Sequence, residues 1–200
     1  IADLQQQEQE FSAITGAMTI QVEGKELTLQ QAANFLERND RKLREEVYYK
    51  ISQRRLEDKD RLDQLMDELI ANRHQIALNA GFSSFRDYMF ASLGRFDYTA
   101  EDCFRFHASV EKKIVPLNSR IEELKRKELG LSELKPWDSL AVKADEQPLK
   151  PFQNSEELMS KTIACFHEIN PFLGDCMRAM RDAGRLDLES RKGKAPGGYN

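Results

Sequence analysis

Residues 40–79 carry the sequence DRKLREEVYYKISQRRLEDKDRLDQLMDELIANRHQIALN, which contains neither proline nor glycine. Apolar residues recur at helical spacing along it, first at Leu43, Val47 and Ile51 and then again towards its end. At a rise of about 1.5 Å per residue, one helix of this length would span roughly 60 Å, more than a compact small domain. The stretch therefore predicts a single long helix that bridges subdomains or braces a larger body.

Residues 1–39 are predicted to contain the end of a polar helix, a short hairpin and a small helix. Apolar and polar residues alternate on both sides of Gly24, which stands where a hairpin turn needs a positive φ. Thr28 and Gln31 then match a capping box, in which each side chain accepts a hydrogen bond from the other residue's backbone N–H. This box predicts the start of the small helix.

Capping residues and glycines divide the chain after the long helix into further helices. Ser84 and Thr99 each precede a run with apolar residues at helical spacing, and Gly130 stands where the second of these helices ends. Proline inside a helix removes a backbone hydrogen bond, so Pro116 predicts a kink. Residues 40–130 are therefore predicted to form a body built on the long helix.

Residues 131–153 differ in kind from the helical body. They are rich in proline, show little periodicity and contain Trp137, which favours an ordered connector. Asn154 then begins another helix, and Pro171 breaks that helix into a pair. Residues 154–200 are thus predicted to be a helical pair that leads into a glycine-rich segment.

Composition excludes several classes of function. The chain is 40% hydrophobic and 32% charged, with a formal net charge of −4. Because acidic and basic residues are interspersed, there is no basic patch for nucleic acid. No apolar run reaches the roughly 18 residues that indicate a membrane span. Cys103, Cys165 and Cys176 are far apart and form no CxxC pair, which favours a reducing cytoplasm.

Both ends of the chain indicate a fragment of a longer protein. There is no initiator methionine, and the last residues form a turn-rich stretch that nothing closes. We therefore expect further chain beyond these residues.

The most tempting metal-binding pair is His167 and Glu168. A helical zinc motif places a second histidine three residues after the glutamate, so that both imidazoles project from one face. Here that position is Pro171, which also breaks the helix. His74 and His107 lie among charged residues on other predicted helices. The sequence therefore predicts no metal ligand and no catalytic residue within this chain.

An ordered series of motifs gives a sharper interpretation. The motifs are NAGF (79–82), FRDYM (85–89), LGRFDY (93–98), TAEDCFRF (99–106), EKKIVPL (111–117), KPWD (135–138) and LDLESRKGKAPGGY (186–199). Together they resemble oligoendopeptidase F, in the thimet oligopeptidase family of zinc metallopeptidases. The resemblance covers most of residues 40–200, and the first forty residues match more loosely.

The resemblance implies a mainly α fold, the helical scaffold of a zincin-type oligopeptidase, with one short N-terminal β-hairpin. It implies a channel that admits short peptides, and a zinc held by an HExxH helix and a distant glutamate. That motif would fall after Asn200, in a catalytic remainder of the parent protein. Of the family's site, only the glycine-rich segment is carried over, so Gly197, Gly198 and Tyr199 are the predicted substrate-binding residues. Glycines let a backbone approach a bound peptide closely, although a plain turn before a strand accounts for them as well.

A second interpretation stays open. A long helix with a polar middle can present a binding face, so the chain could instead be a helical interaction module with no enzymatic parent.

Overall fold

The computed structural model describes residues 2–198, and these are 66% helical with one two-stranded antiparallel hairpin. This confirms the predicted mainly α fold. The elements in chain order are α1 (Ala2–Ala17), β1 (Thr19–Val22), β2 (Lys25–Thr28), α2 (Leu29–Ala33), α3 (Arg41–Glu57), α4 (Lys59–Asn79), α5 (Phe85–Ser92), α6 (Ala100–Glu128), α7 (Ser155–Ile169) and α8 (Pro171–Asp182). Short 3-10 turns at Asn34–Glu37 and Pro136–Asp138 complete them.

The prediction of one long helix over residues 40–79 is wrong. The structure has two helices there, α3 and α4, and Asp58 between them has φ −98° and ψ 9°, outside helical geometry. The break falls inside a stretch of almost wholly polar residues, 52–61. Most helical stability in proteins comes from packing of an apolar face, and this stretch has little apolar surface to pack.

The hairpin and the cap that follows it are confirmed. β1 pairs with β2 in register from Thr19 opposite Thr28 to Val22 opposite Lys25. Both turn residues have positive φ, 50° at Glu23 and 77° at Gly24, as a two-residue turn of type I′ requires. The capping box at the start of α2 is also present, with both reciprocal hydrogen bonds formed.

The chain divides into two compact units, one formed by Ile1–Ala144 with Lys192–Asn200 and the other by Asp145–Arg191. In the first unit, the inner face of the hairpin packs against α2 and α3. The buried residues of this cluster are Met18, Ile20, Val22, Leu29, Ala32, Val47 and Ile51. The predicted four-part division of the chain, at residues 39, 130 and 153, stays a prediction.

Helix α6 is the longest element of the first unit. A capping box formed by Thr99 and Asp102 begins it, and it continues as one helix of 29 residues through Pro116. Leu129 and Gly130 end it, the latter with φ 64°. All of α6 lies in the described part of the chain, and none of its residues is buried.

The second unit contains α7 and α8. The Asn170 side chain caps α8 by accepting a hydrogen bond from the Phe172 N–H, and Pro171 occupies the first turn, where a missing N–H costs nothing. Gly174 lies against His167, because a Cβ placed on this glycine would be 2.5 Å from the His167 Cδ2. The break predicted at Pro171 is confirmed.

Candidate functional site

The three histidines lie on three different helices, α4, α6 and α7. His167, the most tempting of them, packs on Gly174, and its Nε2 is 3.4 Å from Asp175 Oδ1. Within residues 2–198, no group of three or more His, Cys, Asp or Glu side chains could hold a metal ion. The residues described here therefore do not fit a zinc ion, since a catalytic zinc needs three protein ligands.

The most deeply buried charges form a clamp between α3 and the Pro136–Asp138 turn, and we call this set the Asp138 clamp. Asp138 is fully buried and accepts from Arg41 Nη2 and Arg44 Nη2, both at 2.8 Å. It also accepts from Arg41 Nε at 3.0 Å and from the Lys135 backbone N–H at 3.0 Å. The carboxylate thus has charged or backbone donors on both of its oxygens.

Arg44 extends the clamp to the surrounding backbone. The residue is 4% exposed, and its guanidinium donates to the carbonyl oxygens of Trp137 at 3.0 Å, Arg38 at 2.7 Å and Asn39 at 3.1 Å. Buried charges are tolerated only when they are paired and hydrogen-bonded in this way. The clamp therefore fastens the connector after α6 to the start of α3.

The pKa of Asp138 reflects two opposing causes. Burial raises the pKa, but hydrogen bonds from Arg41, from Arg44 and from the Lys135 N–H outweigh it and lower the pKa to about 2. A carboxylate with so low a pKa has little affinity for a proton at neutral pH, so it is a weak general base. The chemistry of the clamp is that of a structural anchor.

Trp137 packs against two tyrosines of α3, whose own rings are in contact with each other. Its ring centroid lies 5.6 Å from that of Tyr48 and 5.5 Å from that of Tyr49. Its indole Nε1 is buried and has no hydrogen-bond partner in the described chain. These aromatic contacts hold the Pro136–Asp138 turn to α3 in addition to the ion pairs of the Asp138 clamp.

Sequence reasoning did not find the Asp138 clamp. The local signal was present, because Lys135 and Asp138 stand three residues apart around a proline, the spacing of a capped turn. The arginine partners lie more than ninety residues away in the sequence, and nothing in the pattern links them to this carboxylate.

An open cleft of about 680 Å³ lies between the end of α6 and the Leu134–Ser139 region. Its basic side chains are already engaged. Lys125 donates to the Ser139 carbonyl oxygen, Arg126 pairs with Glu123 at 2.7 Å, and Lys135 pairs with Glu133 at 2.7 Å. The cleft therefore lacks the convergent charges that mark a site for an ionic ligand.

Two of the predicted substrate-binding residues are described. Gly197 has φ 113°, a conformation that side chains rarely adopt, and a Cβ on Gly198 would meet nothing within 4 Å. Tyr199 lies outside the described residues. The glycine requirement at Gly197 is thus conformational, and the backbone at Gly198 borders open space.

Crossing a bilayer requires a helix that is both long and apolar. Among the described helices, none combines the length and the apolar character needed to cross a membrane.

Three solved structures share this fold over 98% of the chain. PZ peptidase A with an inhibitor matches with a TM-score of 0.91 and 31% identity. A crystal structure of an oligoendopeptidase F matches with a TM-score of 0.90 and 28% identity. The structure of an oligoendopeptidase F from Bacillus anthracis str. Ames matches with a TM-score of 0.89 and 25% identity. The chain spans about a third of the length of each, with 35%, 34% and 36% covered in that order.

These matches confirm the resemblance to oligoendopeptidase F. A comparison with curated proteins gave no match. The sequence profile of peptidase family M3 matches residues 34–200, most of the chain. The chain therefore belongs to peptidase family M3, a family of metallopeptidases.

Proposed function

We propose that this chain is the helical, channel-forming part of a zinc metalloendopeptidase that cleaves short peptides in the cytoplasm. The observation that carries the proposal is the match to PZ peptidase A, at 31% identity over 98% of this chain but only 35% of the other. The zinc ligands and the general base are placed in the catalytic remainder of the parent protein, because residues 2–198 offer no ligand set.

The exposed apolar side of α6 supports a role as wall and scaffold. Phe106, Ile121 and Leu124 on this helix are 67%, 54% and 61% exposed. Apolar surface of this extent on one helix marks an interaction face. In the proposal, this face contacts the catalytic remainder of the parent protein.

The glycine-rich segment is proposed to contact the peptide substrate. Gly197, Gly198 and Tyr199 would supply backbone and one aromatic ring, and the open space at Gly198 leaves room for an extended chain. Main-chain hydrogen bonds to an extended peptide bind many sequences, as an oligopeptidase requires.

The test compares the 200-residue chain with its full-length parent. Both are dialysed against a metal-free buffer, analysed for zinc and assayed with a quenched fluorescent peptide. We expect zinc and hydrolysis in the parent and neither in the chain alone, because the ligands lie outside it. A His167→Ala variant serves as the control for adventitious metal.

Two results would overturn the proposal. The first is stoichiometric zinc in the 200-residue chain that is lost in His167→Ala, because the zinc ligands would then lie within this chain and not in the remainder of the parent protein. A parent without peptidase activity would favour the alternative, a helical interaction module, and a stoichiometric partner bound through α6 would then identify it.

A further inference from the structure

The segment that leads to the glycines runs over the N-terminal helix at Gly16. This residue is buried in the last turn of α1, and its carbonyl oxygen accepts a hydrogen bond from the Gly193 N–H at 2.8 Å. A Cβ on Gly16 would lie 3.0 Å from both the carbonyl carbon and the oxygen of Lys194, and 3.3 Å from the Ala195 nitrogen. A side chain at residue 16 would therefore force the backbone of residues 194 and 195 to move away by a few tenths of an ångström, and glycine avoids this.

A second contact lies one residue earlier, on the hairpin. Lys192 Nζ donates to Glu26 Oε1 at 2.8 Å, and Thr19 Oγ1 donates to the same oxygen at 2.8 Å. These hydrogen bonds, that from Lys192 first, lower the pKa of Glu26. Three consecutive residues, 192–194, thus contact α1 or the hairpin, which determines the register of the segment as well as its path.

The distance along the chain from this contact to the glycines is short. After Ala195 comes Pro196, whose ring fixes φ near −65°, and then Gly197 at φ 113°. Only one residue, with a restricted φ, separates Ala195 from Gly197, so we expect a displacement at Lys194 to shift the glycines as well.

Both contact residues of the N-terminal region precede the part of the chain that defines the family. The family profile begins at residue 34, whereas Gly16 and Glu26 lie before it. The solved structures nevertheless cover 98% of the chain, so they share this region as structure. The region before residue 34 is therefore shared with the solved structures but lies outside the match to the family profile.

We propose that residues 2–33 position the glycine-rich segment for the peptide substrate, with Gly16 as the positioning residue. The inference rests on the proposed function, because it assumes that Gly197 and Gly198 contact substrate. Gly16 accepts the hydrogen bond from Gly193, and the atoms nearest to a Cβ at Gly16 belong to the backbone of Lys194 and Ala195, so its effect on substrate acts through the segment.

The first experiment reads the contact in the 200-residue chain. Limited digestion with trypsin measures cleavage after Lys192 and Lys194 in wild type, Gly16→Ala and Gly16→Val, and far-UV circular dichroism checks that the helices persist. We expect Gly16→Val to accelerate cleavage at these two sites about 10-fold and Gly16→Ala to do so less, because cleavage follows the opened population.

Ala17→Val is the matched control, since Ala17 is the next residue of α1 and its side chain is exposed. It introduces the same branched side chain without facing the segment, so its cleavage rate should stay at the wild-type value. Equal cleavage rates in Gly16→Val and Ala17→Val would overturn the proposed contact.

The second experiment measures peptide hydrolysis by the full-length parent. Gly16→Val should raise KM about 10-fold with little change in kcat, the pattern of lost uniform binding. An unchanged KM despite faster trypsin cleavage would overturn the positioning role and leave the proposed function standing. A wild-type parent without activity would overturn the proposed function and the positioning role that rests on it. The trypsin digestion would still test the Gly16 contact, because it does not depend on peptidase activity.

Discussion

Helices α3 and α6 show two opposite ways of using an amphipathic sequence. In α3, a helix of 17 residues, Arg44, Val47 and Ile51 are buried against elements of this chain. In α6, a helix of 29 residues, none is buried, although the sequence of α6 has an apolar stripe as well. A stripe at helical spacing predicts that a helix has a partner, but it does not tell where in the protein the partner lies.

The difference between the two helices is where their apolar side chains pack: those of α3 pack within this chain, whereas those of α6 do not. α3 is held by the apolar core on one side and by the Asp138 clamp at its start. α6 keeps large apolar side chains exposed along its length, among them Phe104, Phe106, Ile114, Val115, Leu117, Ile121 and Leu124. Removing a contact should therefore destabilise this chain at α3 and leave it nearly unchanged at α6.

The largest effect is expected at the Asp138 clamp. Asp138→Ala should lower the free energy of unfolding by about 3–5 kcal/mol, because it leaves Arg44 buried without a counter-charge. Chemical denaturation measures the loss, and Asp97→Ala, at an exposed aspartate, is the control with an expected change within about 0.5 kcal/mol. Equal effects of the two substitutions would show that α3 does not depend on the clamp.

The next effect compares two isoleucines of unequal exposure, Ile51 on α3 at 7% and Ile121 on α6 at 54%. Ile51→Ala should lower the free energy of unfolding by about 3 kcal/mol, because it leaves a cavity in the core. Ile121→Ala should change it by less than about 0.5 kcal/mol, because its side chain is already in water. A large loss at Ile121 would mean that α6 is packed within this chain after all.

Sequence patterns predicted the local features of both helices. The structure confirms the N-caps at Ser84, Thr99 and Asn154 and the turn at Gly24. Each of these features depends only on residues within four positions in the sequence, so the sequence pattern is enough to predict it. The break at Asp58 was missed, because propensity alone favours a continuous helix where neither proline nor glycine intervenes. Caps and turns can thus be predicted from the sequence wherever packing against distant residues does not override the local preference.

The contacts that fasten the elements together could not be predicted. The Asp138 clamp joins residues more than ninety positions apart, and Gly16 meets the backbone of Lys194 at the far end of the chain. A charged residue carries no sign of burial in a sequence until its partners are known. At Gly16 the signal is a missing side chain, and glycines near the ends of helices are commonly caps rather than points where another segment crosses.

The smallest change in the free energy of unfolding is expected on lowering the pH. It distinguishes two carboxylates, each with a pKa lowered to about 2. For Asp138, burial raises the pKa, but hydrogen bonds from Arg41 and Arg44 outweigh it. For Glu123 on α6, a hydrogen bond from Arg126 lowers the pKa. A carboxylate whose folded pKa lies below its unfolded value stabilises the protein above the unfolded value, and that stabilisation is lost as pH falls towards the folded one.

Only the buried carboxylate should convert its low pKa into stability. The ordinary value for aspartate is 3.8, so the contribution of Asp138 should be complete above this pH and fall away as the pH approaches 2. The loss amounts to about 2 kcal/mol. Denaturation at a series of pH values should show it in wild type and in Glu123→Gln but not in Asp138→Asn. Glu123 is exposed to water, which screens its pair with Arg126, so removing its charge should leave the acid transition unchanged. An acid transition that moved with Glu123 would mean that α6, and not α3, carries the stabilising charges of this chain.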